Sequence, residues 1–388
     1  MATKPKSQAK AKPKAKPKAK PAAKTKVRGK LKAKAAVRPV ARPRKALTVG
    51  GPVTLEEARA LARARQPKRA LRRAPAGPPA TAATVGEERE RLAEQQRAER
   101  ERRIREYKAT MEIMKQRGAR RSAPKVAAKG RRRPPGAPAA AFQPLQVFAE
   151  GDSWFDYPPF LFKGGIIPRL ESRLGVPILN MAKAGDEVRF MLGVEQRQRL
   201  AESLKEGCPA GGPWDVLLFS GGGNDIVDNP MALWVRDWDP TVPPATLIHQ
   251  PRFDAALALV RAGYEDLITL RDQLSPNTHL VFHGYDFAIP DGRGICHLGP
   301  WLKPTFDLRG FPTRAAAFAV VEAMLKQFAA TLATLAARPK VTFINGQGTL
   351  APDTSAWHNE LHPNRDGFDK FADLFHQALR PLFPGRVS

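Results

Sequence analysis

LQVFAEGDSWFDYP, residues 145–158, opens with an apolar run and closes on a turn that carries a serine. A short apolar run suits a strand buried on both faces. The layout recurs. Leu145–Ala149 leads to Glu150-Gly151-Asp152-Ser153, and Val176–Leu179 leads to Asn180-Met181-Ala182-Lys183-Ala184-Gly185. Val216–Ser220 leads to Gly221-Gly222-Gly223-Asn224-Asp225, and two further runs follow at Leu280–His283 and Val341–Ile344. Helical patterns separate them, at Phe253–Gln273 and Ala315–Leu335, and Asp366–Leu379 reads as a last helix. Alternating strands and helices predict a parallel sheet with helices on both faces. In such sheets the ligand site lies beyond the carboxyl ends of the strands, where all these polar blocks fall.

Four blocks stand in order over residues 143–388: Gly-Asp-Ser at 151–153, Asn-x-Ala-x-x-Gly at 180–185, Gly-Gly-Asn-Asp at 222–225 and His-Pro at 362–363. Together they resemble the SGNH (GDSL) hydrolase family of esterases and lipases. The resemblance implies a flavodoxin-like α/β three-layer sandwich, with a five-stranded parallel sheet in the order 2-1-3-4-5. It also implies ester hydrolysis through an acyl-enzyme. By motif position Ser153 would be the nucleophile and His362 the base. The oxyanion hole would take the backbone N–H of Ser153, that of Gly185 and the side-chain amide of Asn224.

The chemistry asks for these residue types. A serine hydroxyl attacks only once a base takes its proton, and a neutral imidazole does so near neutral pH. Donors aimed at the developing oxyanion are worth about 3–4 kcal/mol each. Glycine at 185 would let the backbone approach closely. One position departs from the family. An aspartate is expected three residues before the histidine, and Asn359 stands there. An asparagine can accept the imidazole N–H through its carbonyl but cannot stabilise an imidazolium by charge. The partner of His362 is therefore open between Asn359, a carboxylate from Glu360, Asp156 or Asp225, and none, the last being an inactive site.

Trp154, Phe155 and Tyr157 are candidates for the substrate pocket or for core packing. Residues 286–312, rich in Gly and Pro, form a long loop with Trp301 and Phe306, suited to a lid or pocket wall. His358 competes with His362 as base, but His-Pro just ahead of a helix favours His362. Asp152 suits a structural bond at the serine turn. His283, Cys296 and His297 lack a ligand spacing, so no metal and no cofactor is expected.

Charge divides the chain. Residues 1–140 hold 42 Lys and Arg against 10 Asp and Glu, a net of +32, while residues 141–388 carry −4. Residues 1–50, nearly all Lys, Ala and Pro, resemble in composition the tails of histone H1-like proteins and are expected to be disordered. Residues 51–120 are expected to be partly helical. Thr54-Leu55-Glu56-Glu57 is a capping box, and Glu87 to Gln116 reads as a charged helix, either solvated or weakly oligomerising. Residues 121–142 form a basic, Pro-rich linker. A polycation of this kind binds polyanions with little sequence preference, nucleic acid first and anionic lipid second. The leading expectation is an esterase acting on a small-molecule or lipid ester and tethered through this arm. The alternative is a nucleic-acid-associated scaffold with an inactive hydrolase-like body.

Cys208 and Cys296, far apart, suit two reduced thiols rather than a disulfide framework. No secretory h-region opens the sequence. The longest apolar stretch, Ala315–Ala337, is interrupted by Glu322, Lys326 and Gln327 and reads as a helix packed on a sheet. A cytoplasmic protein, associated with the nucleoid through its arm, is the resulting expectation.

Overall fold

The structure, a computed structural model, describes residues 51–65, 85–118, 143–158, 163–295 and 298–388. The tail at 1–50, the linker at 121–142 and the residues Cys296 and His297 lie outside the described residues, apart from the linker's neighbours at 143 onward.

Five strands, β1 (Val147–Gly151), β2 (Ile178–Asn180), β3 (Val216–Ser220), β4 (His279–His283) and β5 (Val341–Ile344), form one parallel sheet in the order β2-β1-β3-β4-β5. Each strand falls within two or three residues of its expected position. β3, at the centre, is buried along its whole length, which is why its sequence is apolar from Val216 to Phe219. Register pairs Gly151 with Ser220, so β1 and β3 end side by side. The order reverses direction at β1, which opens the crevice where ligands bind in such sheets.

Helices form the outer layers. α3 (Ile166–Leu174) packs on α10 (Arg365–Leu382). On the other side α5 (Val194–Glu206) packs on α7 (Gln250–Leu274), and α7 on α9 (Arg314–Ala333). Two short helices, α4 (Val188–Met191) and α6 (Gly223–Ile226), follow β2 and β3, and α8 (Lys303–Leu308) lies within the long loop. α10 starts where the Asn364 side chain accepts the Gly367 N–H at 2.9 Å. Its Phe368, Phe371, Phe375 and Leu379 form one buried stripe. By length and composition alone the segment Arg314–Ala337 could cross a membrane, yet half of it is buried inside the protein. Val320, Val321, Met324, Leu325 and Phe328 face the core, as the interrupted apolar pattern implied.

The charged segment before the sheet differs from expectation. α1 (Leu55–Arg65) begins with the capping box in both directions: the Glu57 N–H donates to Thr54 Oγ1 at 3.2 Å and the Thr54 N–H to Glu57 Oε2 at 2.9 Å. α2 (Val85–Arg117) is one long helix, packed against α1 and β2. Among the described residues its first half is largely exposed, but its apolar stripe packs within the same chain. Tyr107, Met111 and Met114 are buried in the same core as the sheet, with the Tyr107 ring 5.8 Å from that of Trp214. The stripe is only two heptads long because it has one strand edge to cover. Covering β2 also shields an otherwise open sheet edge. Cys208 is a buried free thiol beneath α2, 3.5 Å from the Tyr107 hydroxyl.

Candidate active site

Ser153 stands on the turn that leaves β1. Gly151 has φ +156°, and a Cβ there would meet the Ser220 carbonyl oxygen at 2.5 Å, so the two strand exits touch only because residue 151 is glycine. Asp152 anchors the turn. Its N–H donates to Ser220 O at 2.9 Å. Its carboxylate accepts from the Trp154 N–H at 3.0 Å, from the Ser220 hydroxyl at 2.7 Å and from the Tyr285 hydroxyl. His283 completes this buried group, with Nε2 2.9 Å from Ser220 Oγ and Nδ1 3.0 Å from Gly284 O. Burial raises the Asp152 carboxyl, opposed by the Tyr285 and Ser220 hydroxyls, and lowers His283 to about 4.

His362 approaches from the loop between β5 and α10, with Nε2 2.7 Å from Ser153 Oγ. Its Nδ1 lies 2.9 Å from Asn359 Oδ1. That oxygen also accepts the backbone N–H groups of Leu361, at 3.0 Å, and His362, at 2.9 Å. Two backbone donors decide which way the amide points. With Oδ1 facing Nδ1, Nδ1 carries the hydrogen and the Nε2 lone pair faces the serine hydroxyl. Burial pushes His362 down to about 3, and neighbouring His358 acts in the same direction. His358 itself is bonded through Nδ1 to the Tyr157 hydroxyl at 2.5 Å.

Each carboxylate considered as the partner of His362 is engaged elsewhere. Glu360, fully buried, accepts the N–H groups of Gly292, Trp301, Leu302 and Lys303 at 2.6–3.0 Å and so pins the long loop. Asp225 accepts from Val188 N at 2.8 Å and holds the start of α4; burial raises it to about 6. Asp156 pairs with Arg103 at 2.9 Å.

Ser153, Asn224 and His362 border one cleft of about 550 Å³, counting its open mouth. Its walls are apolar: Ile226, Val227, Ala288, Leu302, Leu361, and Val321, Met324 and Leu325 from α9. Of the three aromatic residues expected to shape the pocket, Trp154 borders it. Tyr157 and Trp301 do not; their rings flank His362 at 4.8 and 5.9 Å. Phe155 stacks on His283 in the core. Asn224 Nδ2 donates one hydrogen to Asp186 O at 2.9 Å, which fixes the amide and leaves its second hydrogen. Gly185, on the loop after β2, lies outside the cleft lining. Its φ is +82° and a Cβ would meet nothing within 4 Å, so backbone conformation, not crowding, calls for glycine here. Among the described residues, neither the Ser153 nor the Gly185 N–H has a hydrogen-bond acceptor.

The motif blocks carried no sign of the apolar wall from α9, because those residues read equally well as core. The group Ser220, His283 and Tyr285 was equally hidden, since strand-end polar residues without a motif look like any buried hydrogen-bond set.

The GDSL-like Lipase/Acylhydrolase family matches residues 151–370. No curated protein matches the chain. Among solved structures, the chain is similar to a lipase from a goat rumen metagenome, with 17% identity, TM-score 0.40, and coverage of 60% of this chain and 97% of that one. It is similar to a carbohydrate acetylesterase family member from Sinorhizobium meliloti, with 15% identity, TM-score 0.39, and 61% and 98% coverage. It is also similar to a phospholipase A1 from Streptomyces albidoflavus, with 15% identity, TM-score 0.37, and 60% and 98% coverage. With the family matched across more than half its length, the chain belongs to the GDSL-like lipase/acylhydrolase family and is an ester hydrolase of the SGNH type.

Proposed function

We propose that the protein cleaves a carboxylic ester through an acyl-enzyme on Ser153, with His362 as general base and Asn359 as the group that holds its tautomer. The observation that carries this reading is the 2.7 Å contact of Ser153 Oγ with His362 Nε2, backed by the 2.9 Å contact of Nδ1 with Asn359 Oδ1. Nε2 takes the hydroxyl proton as Oγ bonds to the ester carbonyl carbon. The carbonyl oxygen becomes an oxyanion, and the N–H groups of Ser153 and Gly185 and the free hydrogen of Asn224 receive it. Collapse expels the alcohol, which takes the proton from His362. Water then repeats the sequence and releases the acid. The apolar cleft suits an acyl chain, so the substrate is a small-molecule or lipid ester. Hydrolysis of p-nitrophenyl esters by wild type and Ser153→Ala, with fluorophosphonate labelling, tests the reading. Turnover that survives in Ser153→Ala sinks the Ser153 assignment, and a wild type with neither turnover nor labelling favours an inactive, scaffold-type body.

We propose further that the basic arm tethers the enzyme to a polyanion, nucleic acid foremost, at the nucleoid in the cytoplasm. The net +32 of residues 1–140 supports it. Because α2 is part of the folded body, the informative deletion is residues 1–50, not the whole arm. DNA retention over a salt series should weaken in that deletion. Equal retention at every salt concentration refutes the tether.

A further inference from the structure

The family match begins at residue 151, yet a side chain almost fifty residues earlier reaches the site. We infer that Arg103 of α2 is a positioning residue for hydrolysis, clamping the loop that carries Gly185 to the turn that carries Ser153. The inference rests on the acyl-enzyme reading above.

Arg103 bonds on three sides. Nη1 donates to the carbonyls of Asn180, at 3.1 Å, and Ala182, at 3.0 Å, on the loop after β2. Nη2 donates to Asp156 Oδ1 at 2.9 Å, three residues past Ser153. Nε donates to Glu99 on its own helix at 3.0 Å, which holds the guanidinium in place. Asp156 in turn feels, at its carboxylate, the backbone N–H of Ala184, the residue before Gly185, which favours the charged form. Its own N–H donates to Asp152 O at 3.0 Å. One planar guanidinium thus joins the serine turn to the stretch of loop that leads into Gly185. The fork geometry matters, because separate N–H groups in one rigid plane serve the carboxylate and the two carbonyls in fixed directions, which a freely rotating ammonium does not hold.

Little else ties these two segments at this point. Lys183 N–H to Gly151 O, at 2.8 Å, and the Asn180 side chain to Phe155 O, at 3.3 Å, lie nearer the sheet. Beyond them the loop turns through Gly185 at φ +82°, where a Cβ finds nothing within 4 Å. A loop without packing beneath its glycine holds an N–H in place through its flanks: Arg103 secures the side before Gly185, at Asn180 and Ala182, and Asn224, donating to Asp186 O, the side after it. An oxyanion donor displaced by a fraction of an ångström loses much of its effect. α2 therefore does more than cover the β2 edge.

The test compares wild type, Arg103→Ala, Arg103→Lys and the control Arg105→Ala, which changes an exposed arginine that, among the described residues, pairs along the helix with Glu101. Rates are normalised to active sites counted by fluorophosphonate titration, so an unfolded fraction drops out. Arg103→Ala should lose about tenfold or more in kcat with KM within twofold, since ground-state binding in the apolar cleft is untouched. Arg103→Lys should recover part of the loss, and Arg105→Ala should match wild type. Equal kcat in wild type and Arg103→Ala overturns the inference, as does a defect that Arg105→Ala shares. Should Arg103→Ala give no titratable sites, Asp156→Asn is judged by the same kcat criterion. Wild type without Ser153-dependent turnover is a different failure, of the functional reading itself, and removes both.

Discussion

Asn359 Oδ1 stands 2.9 Å from His362 Nδ1 and takes two backbone N–H groups from the same loop, so a neutral amide occupies the place of a carboxylate. It orients the imidazole as a carboxylate would and offers no charge to an imidazolium. With burial lowering His362 to about 3, the imidazole stays unprotonated well below its ordinary 6.5. Base activity is present above the histidine pKa and lost as pH falls through it. The acidic limb of kcat/KM should therefore lie below pH 5. Asn359→Asp adds a negative charge in contact with the ring, which favours the imidazolium. The limb should move up by about one unit or more, with a higher kcat at pH 8. Asn359→Ala removes the tautomer lock and should lower kcat by about 10²–10⁴-fold. A pH–rate profile that is the same in wild type and Asn359→Asp contradicts this assignment.

Chain-length preference should follow the α9 wall. Each methylene buried is worth about 0.8 kcal/mol, roughly fourfold in kcat/KM, until the cleft is filled. Met324 borders the cleft from α9. Met324→Trp should bring the plateau to shorter acyl chains while leaving p-nitrophenyl acetate within about threefold of wild type. A series from acetate to decanoate measures it, and an unmoved plateau places the acyl chain elsewhere.

How much of this was legible without coordinates follows from what each signal encodes. The strands were plain because burial on both faces demands unbroken apolar runs, as in Val216–Phe219. Ser153, Asn224 and His362 were plain because they sit in motif blocks at strand ends, and they do border one cleft. Asn359 was visible as a departure, but its choice over Glu360 needed the loop's hydrogen bonds, which alternate in direction along consecutive residues. Arg103 was invisible. In a helix of Glu and Arg pairs nothing distinguishes the arginine that turns inward, and its partners lie 53 to 79 residues away. Tyr157, picked because it follows Ser153, and Trp301, picked from the long loop, stand beside His362 rather than in the cleft lining, because sequence position does not say whether an aromatic braces a ring or lines a cavity.

Glu360 should matter for the long loop rather than for proton transfer. Four backbone N–H groups converge on its buried carboxylate, and Leu302, one of the donors, also lines the cleft. Glu360→Gln turns an amide hydrogen toward donors that have no other acceptor. Hydrogen bonds to a charged group are worth about 1.5–3 kcal/mol, so the loss of one or two should lower Tm by several degrees. Limited trypsin digestion should cleave after Arg293 sooner in the variant than in wild type. The pH at half-maximal kcat/KM should not move. A moved pH limb with an intact loop would instead make Glu360 the partner of His362.

Glu150 offers a stability test with the opposite pH sense to a salt-bridged acid. Its carboxyl borders a polar cavity beside α2, with its own neighbour Gly151 donating an N–H at 3.1 Å. Burial raises it to about 8, and nearby Asp186 adds to the rise. A folded pKa above the unfolded 4.5 means the native state keeps a proton that the unfolded chain releases. The stability associated with that proton is present below pH 4.5 and lost as pH rises toward 8. Glu150→Gln keeps the shape and cannot ionise, so it escapes this loss. The Tm of the variant minus that of wild type should grow between pH 5 and pH 8.5, by about 4 °C or more. Fluorescence-monitored melts at four pH values across that window measure it. A difference that stays constant with pH means Glu150 ionises in the native protein as readily as it does in the unfolded chain.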